Sequence, residues 1–383
     1  LFHSAQSVEE SIRKDLHLAS VLMQKDLPEQ SARLLQKARK QIVRYELLSQ
    51  MPELLQLERL AQDRLRSAAA GGIVNWKAET DDALSLLANE AAFSALSALI
   101  GYWHLRKVSP QDDAPAIYLR DNRLWPLLSG DTPPRTLRAR LDYYKALSTW
   151  HFMRNEPQEA YRLNREHLAL FEQHPQLLRL YPRRYLGALN NLLIDQFQLR
   201  LFEDLAPGLA KLKSLPQRPE FSRIPHIEEK VFEQSALLEL NTLMAREQFE
   251  AALEILPAIE AGIQRLCAGI AENNLLSIQY LIAYLYFENG RYDAASDWLN
   301  RLLQYPRRNV MEELFRFAGI LNLLIHFELG NEDLLPYLIQ SAKRQSALSG
   351  KRYQAEALCF KFMHQLLRTP GARCRRHGGQ RGA

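Results

Sequence analysis

Cysteine is scarce in this chain: Cys267, Cys359 and Cys374 are the three among 383 residues, an odd count with no CxxC or other metal-ligand spacing. A disulfide framework is therefore not expected, and a reducing compartment is, with the cytoplasm as the default. No uninterrupted apolar run reaches the ~18 residues that a membrane span needs. The stretch from Phe317 to Phe327 is too short and reads as a core helix. No signal-peptide pattern opens the chain at Leu1, so no membrane partner is expected. Alternating strand patterns are missing as well, and with them the parallel sheet on which dinucleotide folds depend.

Catalytic signatures are equally sparse. The ten histidines form no HExxH or HxH motif, and Cys359 and His364 stand five apart, the wrong spacing for a shared helix face. The glycine-rich stretch from Gly71 to Lys77 lacks the spacing of a phosphate-binding loop, and no GxSxG occurs. The expectation is a protein with no catalytic residues, no cofactor and no metal. Positive charge is also less general than the net +5 suggests, because Arg373, Arg375, Arg376 and Arg381 fall in the last eleven residues, with no acid after Glu356. The remainder carries +1, which argues against a phosphate-binding surface, so no specific nucleic-acid partner is expected.

What the sequence does have is helical periodicity, on a background of 47% apolar and 24% charged residues. The stretch from Gln279 to Pro306 reads as a helix, a tight turn at Gly290 and a second helix. Laid on the consensus W-x2-L-G-x2-Y, A-x3-F, P, it places Gln279, Ile282, Ala283, Tyr286, Ala295, Leu299 and, one residue early, Pro306. Ala283 and Ala295 are small enough to let two helices approach, while Tyr286 and Leu299 fill the space beside them. On these residues the chain resembles tetratricopeptide-like proteins. Over nearly its whole length it resembles an uncharacterised bacterial family of them, through the motifs LFHS at Leu1 to Ser4, LNNLL at Leu189 to Leu193 and HFELGN at His326 to Asn331. The consensus tryptophan is replaced by Gln279. The resemblance implies an all-α fold, a right-handed α-solenoid of TPR-like antiparallel helix pairs.

Turns recur at Asn155-Glu-Pro157, Arg200-Leu-Phe202, Glu247-Gln-Phe249, Gly290-Arg-Tyr292 and Gly330-Asn-Glu332, with third positions 45, 47, 43 and 40 residues apart. That period exceeds the ~34 residues of a standard tetratricopeptide repeat, so longer helices or linkers are expected. Four regions follow: N-terminal helices over 1–70, a long helix and irregular linker over 71–134, TPR-like repeats over 135–368, and a disordered Arg/Gly tail over 369–383. The joint between the first two is expected at Ala68 to Gly72, and the long helix runs from Asp81 to about Val108, with Ala91, Ala92, Ala95 and Ala98 suited to close packing. The absence of an initiator Met suggests a fragment or a processed start, and the abrupt change at Thr369 suggests a frame-shifted or read-through end.

Candidate binding residues come from two patterns. Tyr280, Tyr284 and Phe287 stand at i, i+4 and i+7 on a helix that is apolar nearly all round, and are expected to face a concave surface unless neighbouring helices cover them. Asn190, Asn191 and Asn322 are amides in otherwise apolar helices, suited either to tying helices together or to holding a peptide backbone. Two further basic features are weaker. Arg33, Lys37, Lys40 and Arg44 form one stripe, which reads as a solvated face. The tetrapeptide Tyr-Pro-Arg-Arg occurs at Tyr181 to Arg184 and at Tyr305 to Arg308; two arginines beside a helix start could clamp a phosphate or carboxylate, but the copies lie at different phases of their repeats. The expected function is that of a noncatalytic scaffold binding a protein or peptide partner, the alternative being a structural or regulatory arm of a larger protein whose N-terminal active or DNA-binding part is missing.

Overall fold

The five turns share one backbone solution. In the computed structural model, which describes residues 8–65, 76–306, 311–348, 357, 358 and 360–362, Asn155, Arg200, Glu247, Gly290 and Gly330 take left-handed φ angles of 60°, 58°, 56°, 70° and 81°. The next residue of each turn donates its N–H five residues back: Glu156 to His151 at 3.0 Å, Leu201 to Gln196 at 2.8 Å, Gln248 to Leu243 at 2.9 Å, Arg291 to Tyr286 at 2.9 Å and Asn331 to His326 at 3.0 Å. This closure satisfies the last carbonyls of the outgoing helix and turns the chain back on itself. Only one residue then separates the left-handed position from the next helix at Pro157, Phe202, Phe249 and Tyr292. Gly290 adopts the conformation without a Cβ clash, whereas Asn155, Arg200 and Glu247 do so against their intrinsic preference.

Such short links force neighbouring helices to pack side by side. The pairs are α7 (Leu137–Met153) with α8 (Pro157–Gln173), α10 (Pro182–Gln198) with α11 (Phe202–Ser214), α12 (Ile227–Ala245) with α13 (Phe249–Leu266), α14 (Glu272–Glu288) with α15 (Tyr292–Leu303), and α16 (Glu312–Glu328) with α17 (Leu335–Leu348). Six-residue α9 (Pro175–Leu180) bridges α8 and α10. Helix accounts for 83% of the structure, and no strand occurs among the described residues. The protein is all-α.

Two compact units divide the chain, Leu1–Ile224 and Pro225–Ala383. The division falls inside the array expected over 135–368, where Pro216, Pro219 and Pro225 deny the backbone an uninterrupted helix between Ser214 and Ile227. The first unit opens with α1 (Val8–Gln24), α2 (Pro28–Tyr45) and α3 (Met51–Leu65). Their apolar faces meet through Ile12, Leu16, Ala19, Leu35, Ala38, Ile42 and Leu54, while Arg33, Lys37, Lys40 and Arg44 are exposed and Lys37 pairs with Asp15 at 2.9 Å. In the second unit Ile282, Ala283, Ala295 and Leu299 are fully buried, as the repeat frame expects. Tyr286 differs: it is half-buried, and its hydroxyl donates to Glu260 on α13 at 2.7 Å, as Trp298 Nε1 does from α15 at 3.0 Å.

The long helix, α4 (Trp76–Leu105), spans 30 residues and contains an 18-residue window of mean hydropathy 1.5, enough by length and composition to cross a membrane. Isolated polar residues such as Asn89, Glu90 and Ser97 break the apolar run in the sequence without lowering the average much. Here Phe93, Leu96 and Ile100 of α4 are buried, and its buried Glu90 accepts from the Thr136 hydroxyl at 2.8 Å. Thr136 caps α7 by accepting from Ala139 N–H at 3.1 Å. Two short helices follow α4, α5 (Asp113–Asp121) and α6 (Trp125–Ser129). The expected joint at Ala68 to Gly72, the motif at Leu1 to Ser4, the tail over 369–383, Cys359 and Cys374 lie outside the described residues.

Candidate functional site

Three helices of the first unit, α4, α7 and α10, line a groove of about 510 Å³, with Asn164 of α8 at its floor. Helix α7 contributes Lys145, Ser148, Thr149 and Phe152 at i, i+3, i+4 and i+7, the spacing that puts side chains on one face. From α4 come Ala98, Gly101, Tyr102, His104 and Leu105, and from α10 come Asn191, Ile194 and Asp195. Tyr102 and Leu105 are 54% and 81% exposed, so apolar surface is left open where the core could have covered it. Further along α4, Ala88, Ala91, Ala95 and Ala98 are also exposed; of the alanines expected to pack closely, Ala92 alone sits against the core. A second hollow of about 470 Å³ extends the groove through the shared His104 and Phe152, whose rings meet edge to face at 5.6 Å.

Behind the groove, α7, α8 and α10 are joined by polar side chains in place of aliphatic ones. Asn164 Nδ2 donates to Asp195 Oδ2 at 2.6 Å, and both residues are buried. Burial pushes the Asp195 carboxyl up to about 6, the Asn164 hydrogen bond acting in the opposite direction. One helical turn on, His167 is stacked against Tyr144 at 6.3 Å and leans on Phe171 at 5.8 Å, with neither ring nitrogen hydrogen-bonded to the protein. Burial first, then the positive charges of Arg184 and Lys145, depress its pKa to about 3. Arg184 Nη1 reaches Asp142 at 2.9 Å, which gives the buried Asp142 carboxylate a counter-charge.

At the groove itself the chemistry is that of recognition. Lys145 is exposed and pairs with no carboxylate among the described residues. Ser148 and Thr149 donate their hydroxyls to the Lys145 carbonyl at 3.2 and 2.8 Å, which leaves their oxygens as acceptors. The Asn191 amide is half-buried with no hydrogen bond to a described group. A cation, an amide, a hydroxyl and exposed apolar side chains thus border one channel. Among the described residues no three His, Cys, Asp or Glu side chains converge where a metal ion could sit.

No protein-family model matches the chain, and no curated protein matches it.

Of the six candidate binding residues read from the sequence, Asn191 lines the groove, and Asn190 beside it on α10 is half-buried without lining it. The others belong to the second unit. Tyr280, Tyr284 and Phe287 are half-buried on α14 and packed against the core around Ile282. Burial and a hydrogen bond to Glu288 push the Tyr284 phenol up to about 12. Asn322, on α16, is buried with its Oδ1 unpaired. Sequence reasoning missed Lys145, Asn164, His167 and Asp195. A carboxylate two turns into the apolar run LNNLLIDQF, and Asn164 and His167 three apart on one helix, were the available signals.

Proposed function

We propose that this chain is a noncatalytic helical-repeat protein of the tetratricopeptide-like kind, a right-handed α-solenoid of antiparallel helix pairs. Its groove over α4, α7 and α10 receives an extended segment of a protein partner. The recurring left-handed turns at Asn155, Arg200, Glu247, Gly290 and Gly330 support the repeat reading, since each joins two packed helices in the same way. The observation that carries the binding reading is Lys145, a cation without a described counter-charge, beside the Asn191 amide and the exposed Leu105 and Tyr102. An extended peptide supplies a matching set: a carboxylate for Lys145, backbone groups for Asn191 and Thr149, and an apolar side chain for Leu105. The exposed alanines of α4 let a peptide backbone approach closely.

Selection from a displayed random-peptide library on the full chain tests this. Enriched peptides should carry an acidic residue near an apolar one and bind in solution. Lys145→Glu and Leu105→Asp should each weaken binding at least tenfold with the melting temperature unchanged, because both side chains are exposed. Failure to enrich any peptide, or equal binding by wild type and both variants, would overturn the proposal.

A further inference from the structure

At the start of α10 the first unit holds a separate cleft, of about 830 Å³, whose lining includes Arg179, Arg183, Arg184 and Arg223 against two carboxylates, Glu9 and Glu220. Glu220 is itself 3.7 Å from Arg218, a fifth guanidinium, so its charge is shared. The excess of positive charge is local, in a chain that is near neutral without its last eleven residues. We infer that this cleft is a binding site for a dianionic phosphate group.

Three features of the cleft point to that ligand. First, Arg184 is held in place, with one nitrogen on Asp142 at 2.9 Å and its guanidinium over the Tyr181 ring at 5.3 Å. An arginine fixed in this way loses little further freedom on meeting an anion, and its planar fork suits paired oxygens. Second, the backbone adds to the side chains. Helix α10 opens at Pro182 with no acidic residue in its first turn, and its N-cap, Tyr181, makes no side-chain capping bond. Tyr181 and Pro182 line the cleft, so the positive end of this 17-residue helix's dipole borders the arginines, where acids are the stabilising choice. Third, guanidinium groups lining one cleft repel one another, and each carboxylate offsets a single charge. A phosphate monoester brings nearly two charges and three acceptor oxygens, which fits the exposed Arg179 and Arg183 beside the anchored Arg184.

The cleft shares no lining residue with the groove over α4, α7 and α10, so the two sites succeed or fail independently. A phosphate group could arrive on a small molecule or on a phosphorylated protein side chain. Titration calorimetry of the full chain at pH 7.5 and low ionic strength, with pyrophosphate, phenyl phosphate, a phosphoserine peptide, its unphosphorylated form, acetate and an unmodified single-stranded oligonucleotide, distinguishes these sources. Binding of at least one phosphate ligand is expected, with none by acetate or the unphosphorylated peptide. Preference for the phosphopeptide assigns the source to a protein, and preference for the small phosphates assigns it to a metabolite. Arg183→Glu should weaken binding at least tenfold, and Arg179→Glu, on a different helix, should do the same if the first variant folds poorly. Absence of binding by every phosphate ligand, equal binding by acetate, equal or tighter binding of an unmodified single-stranded oligonucleotide, or unchanged affinity in a folded charge-reversal variant would overturn the inference.

Discussion

The Asn164 amide donates to the Asp195 carboxylate across 2.6 Å while its own carbonyl oxygen meets no protein donor. Two helices are thereby joined by a hydrogen bond that is half a network. Buried polar groups of this kind lower stability relative to an apolar contact when only partly satisfied. They persist here directly beneath a groove that has open volume and an exposed cation beside it.

The Asp195 carboxyl is raised from 3.8 to about 6, so the folded chain binds this proton more tightly than the unfolded one. The resulting stabilisation is full below pH 3.8 and is lost as the pH rises through about 6. Urea unfolding of wild type and Asp195→Asn at pH 7.5 and pH 5 should show wild type gaining on the variant by about 1 kcal/mol at the lower pH. A gap independent of pH would contradict the environment described for Asp195.

His167 has the opposite sign. Its pKa falls from 6.5 to about 3, so its contribution is full above pH 6.5 and is lost as the pH drops toward 3. His167→Phe keeps the stacking with Tyr144 and Phe171 and removes the titration. The variant should match or exceed wild type at pH 7, by ~1 kcal/mol for relief of an unsatisfied buried group, and its advantage should widen by pH 4.5. Parallel pH profiles of melting temperature would contradict this.

Glu247 is exposed at a left-handed turn, with φ 56°. Glu247→Gly removes the Cβ conflict and adds unfolded-state freedom, and the first effect is the larger, so a net gain of about 0.5–1 kcal/mol is expected in thermal unfolding. A loss of stability would mean that the Glu247 side chain holds the turn.

Gly208 inverts the usual helix rule. Ala is better than Gly by ~1 kcal/mol in a helix interior, yet a Cβ on Gly208 would collide with Cδ2 of Leu193, which is fully buried on α10. Gly208→Ala should destabilise by about 1–3 kcal/mol in denaturant unfolding. A more stable variant would show that α10 and α11 can separate at this point.

The sequence made the turns legible because each is a local device, a left-handed residue that closes one helix and, at four of the five, is followed two positions on by the start of the next. Glycine announced two of them; Asn155, Arg200 and Glu247 were legible only through their spacing. Proline fails to mark a helix end at three places. Pro115 lies in the first turn of α5, where its missing N–H is no loss, and Pro207 and Pro257 sit within α11 and α13. A reading that treats proline as a stop therefore passes over α5. The groove was hardly legible, since its residues come from four helices and only Asn191 and Ala98 belong to patterns visible along one of them, Ala98 to one that pointed to close packing instead. The aromatic stripe of α14 drew attention for the opposite reason: a helix apolar nearly all round gives no sign of which face its neighbours cover.

Hydrogen exchange of the full chain with and without a library-selected peptide tests the central claim most directly, because it locates the contact without altering a residue. Slowed exchange is predicted in segments 97–105, 145–152 and 191–195, which line the groove. Slowed exchange confined to 280–287, around Tyr284, would contradict the account and move the binding face to the second unit.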